Sequence, residues 1–494
     1  MPTPLRLLAD QAFSRAAGAP LVEGNRVEIL RDAQENYPAW LDAINTAQRW
    51  VHFESYILRD DRSGREFAAA MAAAVKRGVK VRIMYDWLGA ATATPWMFWT
   101  RLRRAGVDVR AFNQPRLDAP LGWLSRDHRK MLSVDGRVGF VTGLCVADMW
   151  WGRERNKGLD PWRDTGVAVW GPAVADIEQA FADVWAASGG PLPDDEIPAE
   201  GSISPAGTTA LRVISTKPST AGLFRLDQLV AAVARAQLWI TDAYFVGASP
   251  YIQALSAAAS DGVDVRLLVP GSGSDLPIVQ RLTRAGYRGL LEAGVRIFEW
   301  NGTMVHAKTA VADSRWARVG SSNLNIQSWL GNWELDVAME DEAIARQMEE
   351  MYLRDLENAT EIVLSEERLP RATTPAPARD RQSRGWPRAR GAGRTRRAAA
   401  ASALRMGRTF GAALTARRAL GAAEAANLIW GIALVGLLGV VGLIWPKGLA
   451  YPLGFLLIWI SVSWTIQAVK LWPLRRQQRA VDKSQPSKAR EDAA

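Results

Sequence analysis

The stretch Gly78-Val-Lys-Val-Arg-Ile-Met-Tyr-Asp86 decides the fold, because its pattern returns as Gly262-Val-Asp-Val-Arg-Leu-Leu-Val-Pro270. Each stretch is a short apolar run entered through a glycine, which is typical of a buried strand. In both places a strand pattern and then a helical pattern come before the run. These patterns cover 50–58 and 66–76 in the first case, and 238–246 and 250–260 in the second. The sequence therefore predicts a β-α-β unit that occurs twice.

A further strand pattern also recurs, as Ala105-Gly-Val-Asp-Val-Arg110 and Ala293-Gly-Val-Arg-Ile-Phe298. The offsets between matching stretches run from 178 to 188 residues, as expected for a duplicated domain with small insertions. Strands and helices alternate in both copies, which predicts the α/β fold class with a sandwich in each copy.

Changes in composition mark the expected boundaries. A stretch rich in proline, glycine and acidic residues, 189–207, is the expected connection between a first lobe at 1–188 and a second lobe at 208–365. The rest of the chain divides into an Arg/Ala/Pro-rich basic linker at 366–424, apolar segments at 425–446 and 448–469, and a basic tail at 470–494.

One short motif occurs in each copy, as His128-Arg-Lys130-Met-Leu-Ser-Val-Asp135 and His306-Ala-Lys308-Thr-Ala-Val-Ala-Asp313. The intervals within the two motifs are identical, and the motifs lie 178 residues apart, inside the repeat. Residues two apart in a strand share a face, so the histidine and lysine of each motif are expected to project together toward one site.

These side chains suit the transfer of a phosphodiester, which needs a nucleophile, a proton donor and cations beside the phosphoryl oxygens. Imidazole titrates near neutral pH, so one histidine can attack phosphorus while the other protonates the leaving alkoxide. Two lysines can hold the phosphoryl oxygens without a metal ion. We therefore expect a covalent intermediate, no metal and no cofactor.

Polar residues follow each motif. Ser321 and Asn323, in Gly320-Ser-Ser-Asn323, are candidate donors to phosphate. Glu334 follows in Asn332-Trp-Glu334, and Asp164 stands at the matching place after the first motif, in Trp162-Arg-Asp164. A carboxylate beside an imidazole fixes its tautomer, so Asp164 and Glu334 are expected to orient the histidines.

The chain resembles the phospholipase D superfamily, and most closely the bacterial cardiolipin synthases of the type that lacks an N-terminal membrane segment. The resemblance covers about 21–352 and implies two tandem phospholipase D-like lobes that form one active site. It rests on Phe53-Glu-Ser-Tyr56, His128-Arg-Lys130, Trp162-Arg-Asp164, Gly171-Pro172, Ala243-Tyr-Phe245, His306-Ala-Lys308 and Gly320-Ser-Ser-Asn323.

The resemblance also implies roles for the motif residues. His128 is expected to be the nucleophile and His306 the general acid, acting without a metal. Asp135 and Asp313 belong to the same catalytic motifs, although the resemblance favours a structural part for them over proton transfer.

The first motif departs from the family pattern at one place. The family usually shows Gly-Gly-x-Asn after this motif, whereas this chain has Thr142-Gly-Leu-Cys145. A thiol is a weak hydrogen-bond donor, so the first half of the site is expected to bind phosphate less tightly. Cys145 is more simply interpreted as a small buried core residue than as a reactive thiol.

The two apolar segments are uncharged and 22 residues long, and each would span about 33 Å as a helix. Only Lys447 separates them, which predicts a transmembrane hairpin; a buried soluble hairpin is the alternative. The resemblance implies a protein of the bacterial inner membrane, and the flanking basic residues predict that its catalytic part lies on the cytoplasmic side. They are Arg417, Arg418, Lys470, Arg475, Arg476 and Arg479.

Charge is distributed unevenly along the chain. The net charge is +10, but 368–418 alone contains 14 arginines and one acidic residue, which leaves about −7 on residues 1–367. Enzymes that act on nucleic acid concentrate basic residues on the binding face, so no nucleic-acid partner is expected. A single cysteine excludes a disulfide framework and a cysteine-built metal site.

These observations favour a membrane-bound phosphatidyltransferase that makes cardiolipin from phosphatidylglycerol, alone or with a second phospholipid. A phospholipase D hydrolase stays open, because water in place of an alcohol gives hydrolysis. A nuclease or phosphodiesterase of the same superfamily is disfavoured by the acidic catalytic region. A catalytically silent membrane scaffold is supported only by Thr142 and Cys145.

Overall fold

The computed structural model describes residues 4–114, 125–199, 201–364 and 371–373, together with seven residues between Tyr451 and Val462. The predicted linker, apolar hairpin and tail at 366–494 otherwise lie outside the described residues. Among the residues that are described, no helix has both the length and the apolar character needed to cross a bilayer. The chain divides into two compact units, and both copies of the repeat fall within the first, Met1–Pro115 with Leu121–Pro375.

The first copy begins after helix α1 (Pro4–Ala17) and alternates strands with helices, as predicted. Its elements are β1 (Val22–Arg31), α2 (Asp32–Thr46), β2 (Trp50–Ser55), α3 (Arg62–Lys76), β3 (Lys80–Asp86), α4 (Trp87–Ala91), α5 (Trp96–Arg104), β4 (Asp108–Phe112), β5 (Lys130–Val134), β6 (Val138–Thr142), α6 (Asp148–Trp151), β7 (Thr165–Trp170) and α7 (Val174–Ala187).

The second copy repeats this order and adds strands at its end. Its elements are β8 (Thr209–Thr216), α8 (Gly222–Val233), β9 (Gln237–Thr241), α9 (Ser249–Ser260), β10 (Asp264–Pro270), α10 (Pro277–Ala285), α11 (Tyr287–Glu292), β11 (Arg296–Trp300), β12 (Thr309–Ala312), β13 (Trp316–Gly320), β14 (Glu334–Glu340), α12 (Glu342–Leu356), β15 (Ala359–Val363) and β16 (Arg371–Thr373).

The order of the strands shows the duplication directly. The sheet runs β16-β15-β11-β10-β9-β12-β13-β14-β8-β1-β7-β6-β5-β2-β3-β4, so each half repeats the other in mirrored order around β8 and β1. The triplets β2-β3-β4 and β9-β10-β11 are parallel, whereas the other neighbours are antiparallel. The glycines that precede β3 and β10, Gly78 and Gly262, both have φ of +91°, a conformation that glycine adopts without strain.

The halves share one central core rather than only an edge. Helix α7 of the first copy and α12 of the second supply buried side chains to the same apolar cluster, including Phe181, Trp185 and Tyr352. Two further clusters lie on the outer helices of the separate halves. The fold is therefore an α/β architecture in which two sandwich halves pack together.

Two predicted strands are shorter than expected. The patterns at 50–58 and 238–246 give strands that end at Ser55 and Thr241. Beyond these points the chain leaves the sheet and makes single bridges, Leu58 to Val146 and Val246 to Asn325. Both halves thus turn toward the loops that follow β6 and β13.

Candidate active site

The first motif histidine is positioned by the second half of the molecule. Asp127 forms a parallel bridge with Trp333, and the backbone N–H of His128 donates to the Trp333 carbonyl at 2.9 Å. The next residue, Glu334, places its carboxylate oxygens 3.0 and 3.1 Å from Nδ1 of His128. A carboxylate that accepts from Nδ1 leaves Nε2 as a base or nucleophile.

The second motif histidine has the reciprocal arrangement. Arg163 forms a parallel bridge with Val305, and the backbone N–H of His306 donates to the Arg163 carbonyl at 2.7 Å. Oδ2 of Asp164 lies 2.7 Å from Nδ1 of His306. Each histidine is therefore held by a carboxylate from the other half, so the two motifs are brought to one site.

The histidines do not lie within strands, although their spacing suggested that they would. Lys130 is the first residue of β5, whereas His306 and Lys308 both precede β12. Both lysines are nonetheless buried, and each ammonium donates to the backbone carbonyl of the histidine two residues earlier. Nζ of Lys308 also lies 3.0 and 3.1 Å from the ring nitrogens of His306.

A tyrosine also packs against each motif histidine, so the two halves of the site match here as well. The sequence analysis did not predict a role for either tyrosine. Tyr56 meets the ring of His128 edge-on with centroids 5.1 Å apart, and Tyr244 meets His306 at 5.9 Å. Burial raises the pKa of Tyr56 to about 12, so its hydroxyl stays protonated. Both residues lie in motifs that carry the family resemblance, which was the available signal.

The partners of the two carboxylates differ. Glu334 accepts hydrogen bonds from Ser321 at 2.6 Å and from Asn332 at 3.1 Å. Asp164 instead accepts from the indole N–H of Trp150 at 3.0 Å. The place of Ser321 is taken by Gly143 in the first half, where an added Cβ would come 2.2 Å from the Asp164 carboxylate.

The predicted phosphate donors separate into two kinds. The hydroxyl of Ser321 donates to Glu334 and accepts from the backbone N–H of Leu335, so it supports the carboxylate and is not available to phosphate. Asn323 is also buried, and its Oδ1, a hydrogen-bond acceptor, has no partner in the described chain. Phosphate oxygens accept hydrogen bonds, so it is the N–H groups of this amide that can donate to a phosphate.

Cys145 occupies the position in the first half that Asn323 occupies in the second. It is buried in the apolar cluster beneath the outer helices of its own half. Burial raises the pKa of its thiol, which keeps it neutral. The interpretation of Cys145 as a core residue is confirmed, and the two halves of the site are chemically unequal.

The surroundings keep both histidines neutral in the free protein. Burial and the nearby Lys308 ammonium together lower the pKa of His306 to about 3, against the opposing effect of Asp164. Burial likewise lowers the pKa of His128, and Glu334 acts against it. Burial alone would raise the pKa values of the two carboxylates, but their paired histidines and nearby lysines hold them below the ordinary values.

The titration of Lys308 predicts that anion binding at the site depends on pH. Burial lowers its pKa to about 8, so it is charged at pH 7 and loses its proton as the pH rises through 8. We expect sulfate, which stays a dianion across this range, to bind up to about tenfold more weakly per pH unit above 8. Calorimetric titration from pH 7 to 9.5 measures this. In Lys308→Arg, sulfate binding should no longer weaken between pH 8 and 9.5. If this variant kept the pH dependence of the unaltered protein, Lys308 would not be the group that titrates.

The motif aspartates lie away from the histidines, at the far ends of the motif strands. Asp135 follows β5 and accepts three backbone hydrogen bonds, from Gln48, Arg49 and Trp50 at 2.7 to 2.9 Å. Asp313 accepts the three matching bonds from the backbone N–H groups of Arg235, Ala236 and Gln237, at the start of β9. The structure thus separates Asp135 and Asp313 from the catalytic group in which their motifs place them.

Loss of either aspartate should affect stability rather than chemistry. Asp135→Ala removes a charged acceptor from three backbone N–H groups, so we expect a loss of about 2–4 kcal/mol in the free energy of unfolding. Denaturant unfolding measures the loss, and activity per folded molecule should match that of the unaltered protein. A fall in turnover without a fall in stability would instead return Asp135 to the catalytic set.

The chain is similar to known proteins in sequence and in fold. The family model described as "Cardiolipin synthase, PLD-like domain" matches residues 40–185 and 230–356. Cardiolipin synthase A of Pseudomonas fluorescens is 33% identical over 372 residues, which cover 72% of this chain and 74% of that protein. Cardiolipin synthase of Alkalihalophilus pseudofirmus is 30% identical over 70% of this chain and 69% of its own. A crystal structure of Haemophilus influenzae phosphatidylserine synthase shares the fold, with a TM-score of 0.56 at 12% identity over 71% of this chain and 91% of that one.

Proposed function

The chain belongs to the cardiolipin synthase family of phospholipase D-like proteins, and from this premise we propose that it makes cardiolipin from phosphatidylglycerol. It is an enzyme of the phospholipase D superfamily and a phosphatidyltransferase. The donor is phosphatidylglycerol, and the acceptor is a second phosphatidylglycerol or another phospholipid with a free hydroxyl. The observation that carries the proposal is the reciprocal pairing of His128 with Glu334 and of His306 with Asp164.

The transfer proceeds in two balanced steps. Nε2 of His128 attacks phosphorus of the donor. The bond from phosphorus to the glycerol oxygen breaks as His306, which is protonated once the lipid phosphate is bound, gives that oxygen the proton on its Nε2. Glycerol leaves, and a phosphatidyl-histidine remains. Neutral His306 then removes the proton from the acceptor hydroxyl, whose oxygen attacks phosphorus and releases His128.

Three side chains serve the phosphoryl oxygens in this proposal. Lys130 and Lys308 are buried cations whose ammonium groups contact the backbone of the motif histidines, and the amide N–H groups of Asn323 supply a neutral donor. Bound phosphate places negative charge beside the lysines, so it raises the pKa of His306 toward the range in which it can act as an acid. Ser321 supports Glu334 and has no contact with phosphate in this proposal.

The membrane is the proposed location of the reaction. We propose that the segments 425–446 and 448–469 form a transmembrane hairpin in the bacterial inner membrane, with the basic linker 366–424 and the tail 470–494 on its cytoplasmic side. The excess of arginine and lysine around the hairpin supports that orientation and an attraction to anionic lipid. The lobes 1–188 and 208–365, joined through 189–207, are the proposed catalytic part.

Lipid products test the transferase function. The full-length enzyme in vesicles of phosphatidylglycerol, with a chelator of divalent metals, should release glycerol and cardiolipin in equal amounts. Thin-layer chromatography and mass spectrometry of the extracted lipids measure cardiolipin, and an enzymatic assay of the aqueous phase measures glycerol. Phosphatidic acid without cardiolipin would establish a hydrolase instead, and no lipid product at all would contradict both enzymatic proposals.

A further inference from the structure

Helix α10 presents its apolar side chains to the outside. Ile278 and Leu282, four residues apart on one face, are 71% and 56% exposed, and Leu276 just before the helix is 47% exposed. Residues at this spacing are neighbours on a helix surface, so they form one apolar stripe. A surface helix of a globular protein normally turns such a stripe toward the core.

The side of α10 that faces the protein is polar. Thr283 is buried and donates to the carbonyl of Phe245 at 2.7 Å, and Gln280 donates to the carbonyl of Gly271. Arg284 pairs with Glu299 at 2.6 Å. These hydrogen bonds fix which way the helix is turned, so the outward position of Ile278 and Leu282 is built into the fold.

The exposed stripe is continuous with the candidate active site. Phe245, which receives the Thr283 hydrogen bond, follows Tyr244, and the Tyr244 hydroxyl donates to Asp275 at 2.8 Å just before α10. Val246 and Ile326 extend the apolar surface beside Asn323 and are 36% and 57% exposed. The backbone N–H of Val246 donates to the carbonyl of Leu324 at 3.2 Å, which joins these two segments.

The first half also exposes apolar side chains between β3 and β4. Trp96 and Met97, the first residues of α5, are 73% and 57% exposed. Arg281 is exposed on α10 between Ile278 and Leu282, where a cation fits an anionic surface.

We propose that the outward stripe of α10, formed by Leu276, Ile278 and Leu282, docks into an anionic phospholipid bilayer and places lipid headgroups at His306. The inference rests on the proposed function, since a lipid substrate gives the apolar surface its occupant. Apolar side chains with a flanking arginine are the composition of an element that lies in the headgroup region of a membrane. Docking orients the catalytic part toward the lipid, in addition to any anchoring by the C-terminal segments.

A single-label experiment tests the contact in the full-length protein. Cys145 is the only cysteine and is buried, so Ile278→Cys can be labelled selectively with an environment-sensitive fluorophore. In vesicles that contain phosphatidylglycerol, the emission should shift to the blue and be quenched by spin-labelled lipid. The matched control is Val233→Cys, at an exposed apolar position on α8 near the backbone groups held by Asp313. A label at 278 that is quenched no more than one at 233 would overturn the proposal.

Activity provides an independent measurement. Ile278→Ser with Leu282→Ser should lower turnover of phosphatidylglycerol in vesicles by about tenfold or more, while turnover of a short-chain, monomeric phosphatidylglycerol stays unchanged. Val233→Ser should change neither. Equal losses of turnover on both substrates would overturn docking, because they would show that the substitutions damage the active site itself. Cross-linking of Ile278→Cys between two copies, with no lipid quenching, would assign the stripe to self-association.

The two proposals fail in different ways. If the unaltered protein makes no cardiolipin but position 278 is quenched by lipid, the transferase function is wrong and the docking surface stands. If cardiolipin forms and position 278 is not quenched, the function stands and the docking surface is wrong.

Discussion

His128→Asn should abolish the first chemical step with every donor, whereas His306→Asn should retain it with a donor that has a good leaving group. Loss of a nucleophile costs roughly 10⁴-fold or more in turnover, because no phosphatidyl-enzyme can form. Loss of the general acid should cost about 10²–10⁴-fold with phosphatidylglycerol, whose glycerol alkoxide must be protonated. A p-nitrophenolate leaving group is a weak base and needs no proton.

The measurement is a burst of p-nitrophenol from phosphatidyl-p-nitrophenol. His306→Asn should release one equivalent per enzyme and then stop, because no base remains to activate the acceptor. His128→Asn should give no burst. The third histidine supplies a matched control: His52 is buried against Glu178 at 2.6 Å, so His52→Asn should lose stability but keep the burst per folded molecule. A burst from His128→Asn and none from His306→Asn would reverse the two roles.

Most of the fold could be predicted from the spacing of the repeated stretches. Matching stretches such as Gly78–Asp86 and Gly262–Pro270 predicted the duplication, because strand periodicity and the entering glycine are local properties of the sequence. The lengths of β2 and β9 could not be predicted in this way. Their ends depend on bridges to distant loops, at Val146 and Asn325, which no local pattern contains.

The candidate site was predicted as a set of residues but not as a set of contacts. Asp164 and Glu334 were expected beside histidines, but the sequence does not say which carboxylate meets which ring. The assignment depends on how the halves face each other around the shared core. Ser321 was expected to contact phosphate, but it donates to Glu334 instead. That contact depends on the pairing of β13 with β14, which the local sequence does not reveal.

The direction of α10 is also a tertiary property. Its sequence shows an apolar stripe, which by itself would favour burial. The hydrogen bonds of Gln280 and Thr283 and the pairing of Arg284 with Glu299 turn that stripe outward. The exposed surface beside the second histidine therefore could not be predicted from periodicity.

Replacing Asp164 or Glu334 should also cause a large loss of activity, because each carboxylate should act on the histidine of the other half. Asp164→Asn should lower transfer from phosphatidylglycerol by about 10²–10⁴-fold, since an amide can neither fix the reactive tautomer nor stabilise the imidazolium. Glu334→Gln should cause a loss of similar size. The two variants are nearly isosteric with the residues they replace, so their folding should be little affected.

The p-nitrophenyl donor distinguishes the crossed arrangement from a local one. Asp164 lies in the same half as His128 but contacts His306, so Asp164→Asn should keep the p-nitrophenol burst, as His306→Asn does. Glu334 contacts His128, so Glu334→Gln should lose most of the burst rate, as His128→Asn does. If each carboxylate served the histidine of its own half, the two results would be exchanged. The burst rates of these two variants therefore measure whether catalysis depends on the contact between the halves, because each half supplies the carboxylate that the other half needs.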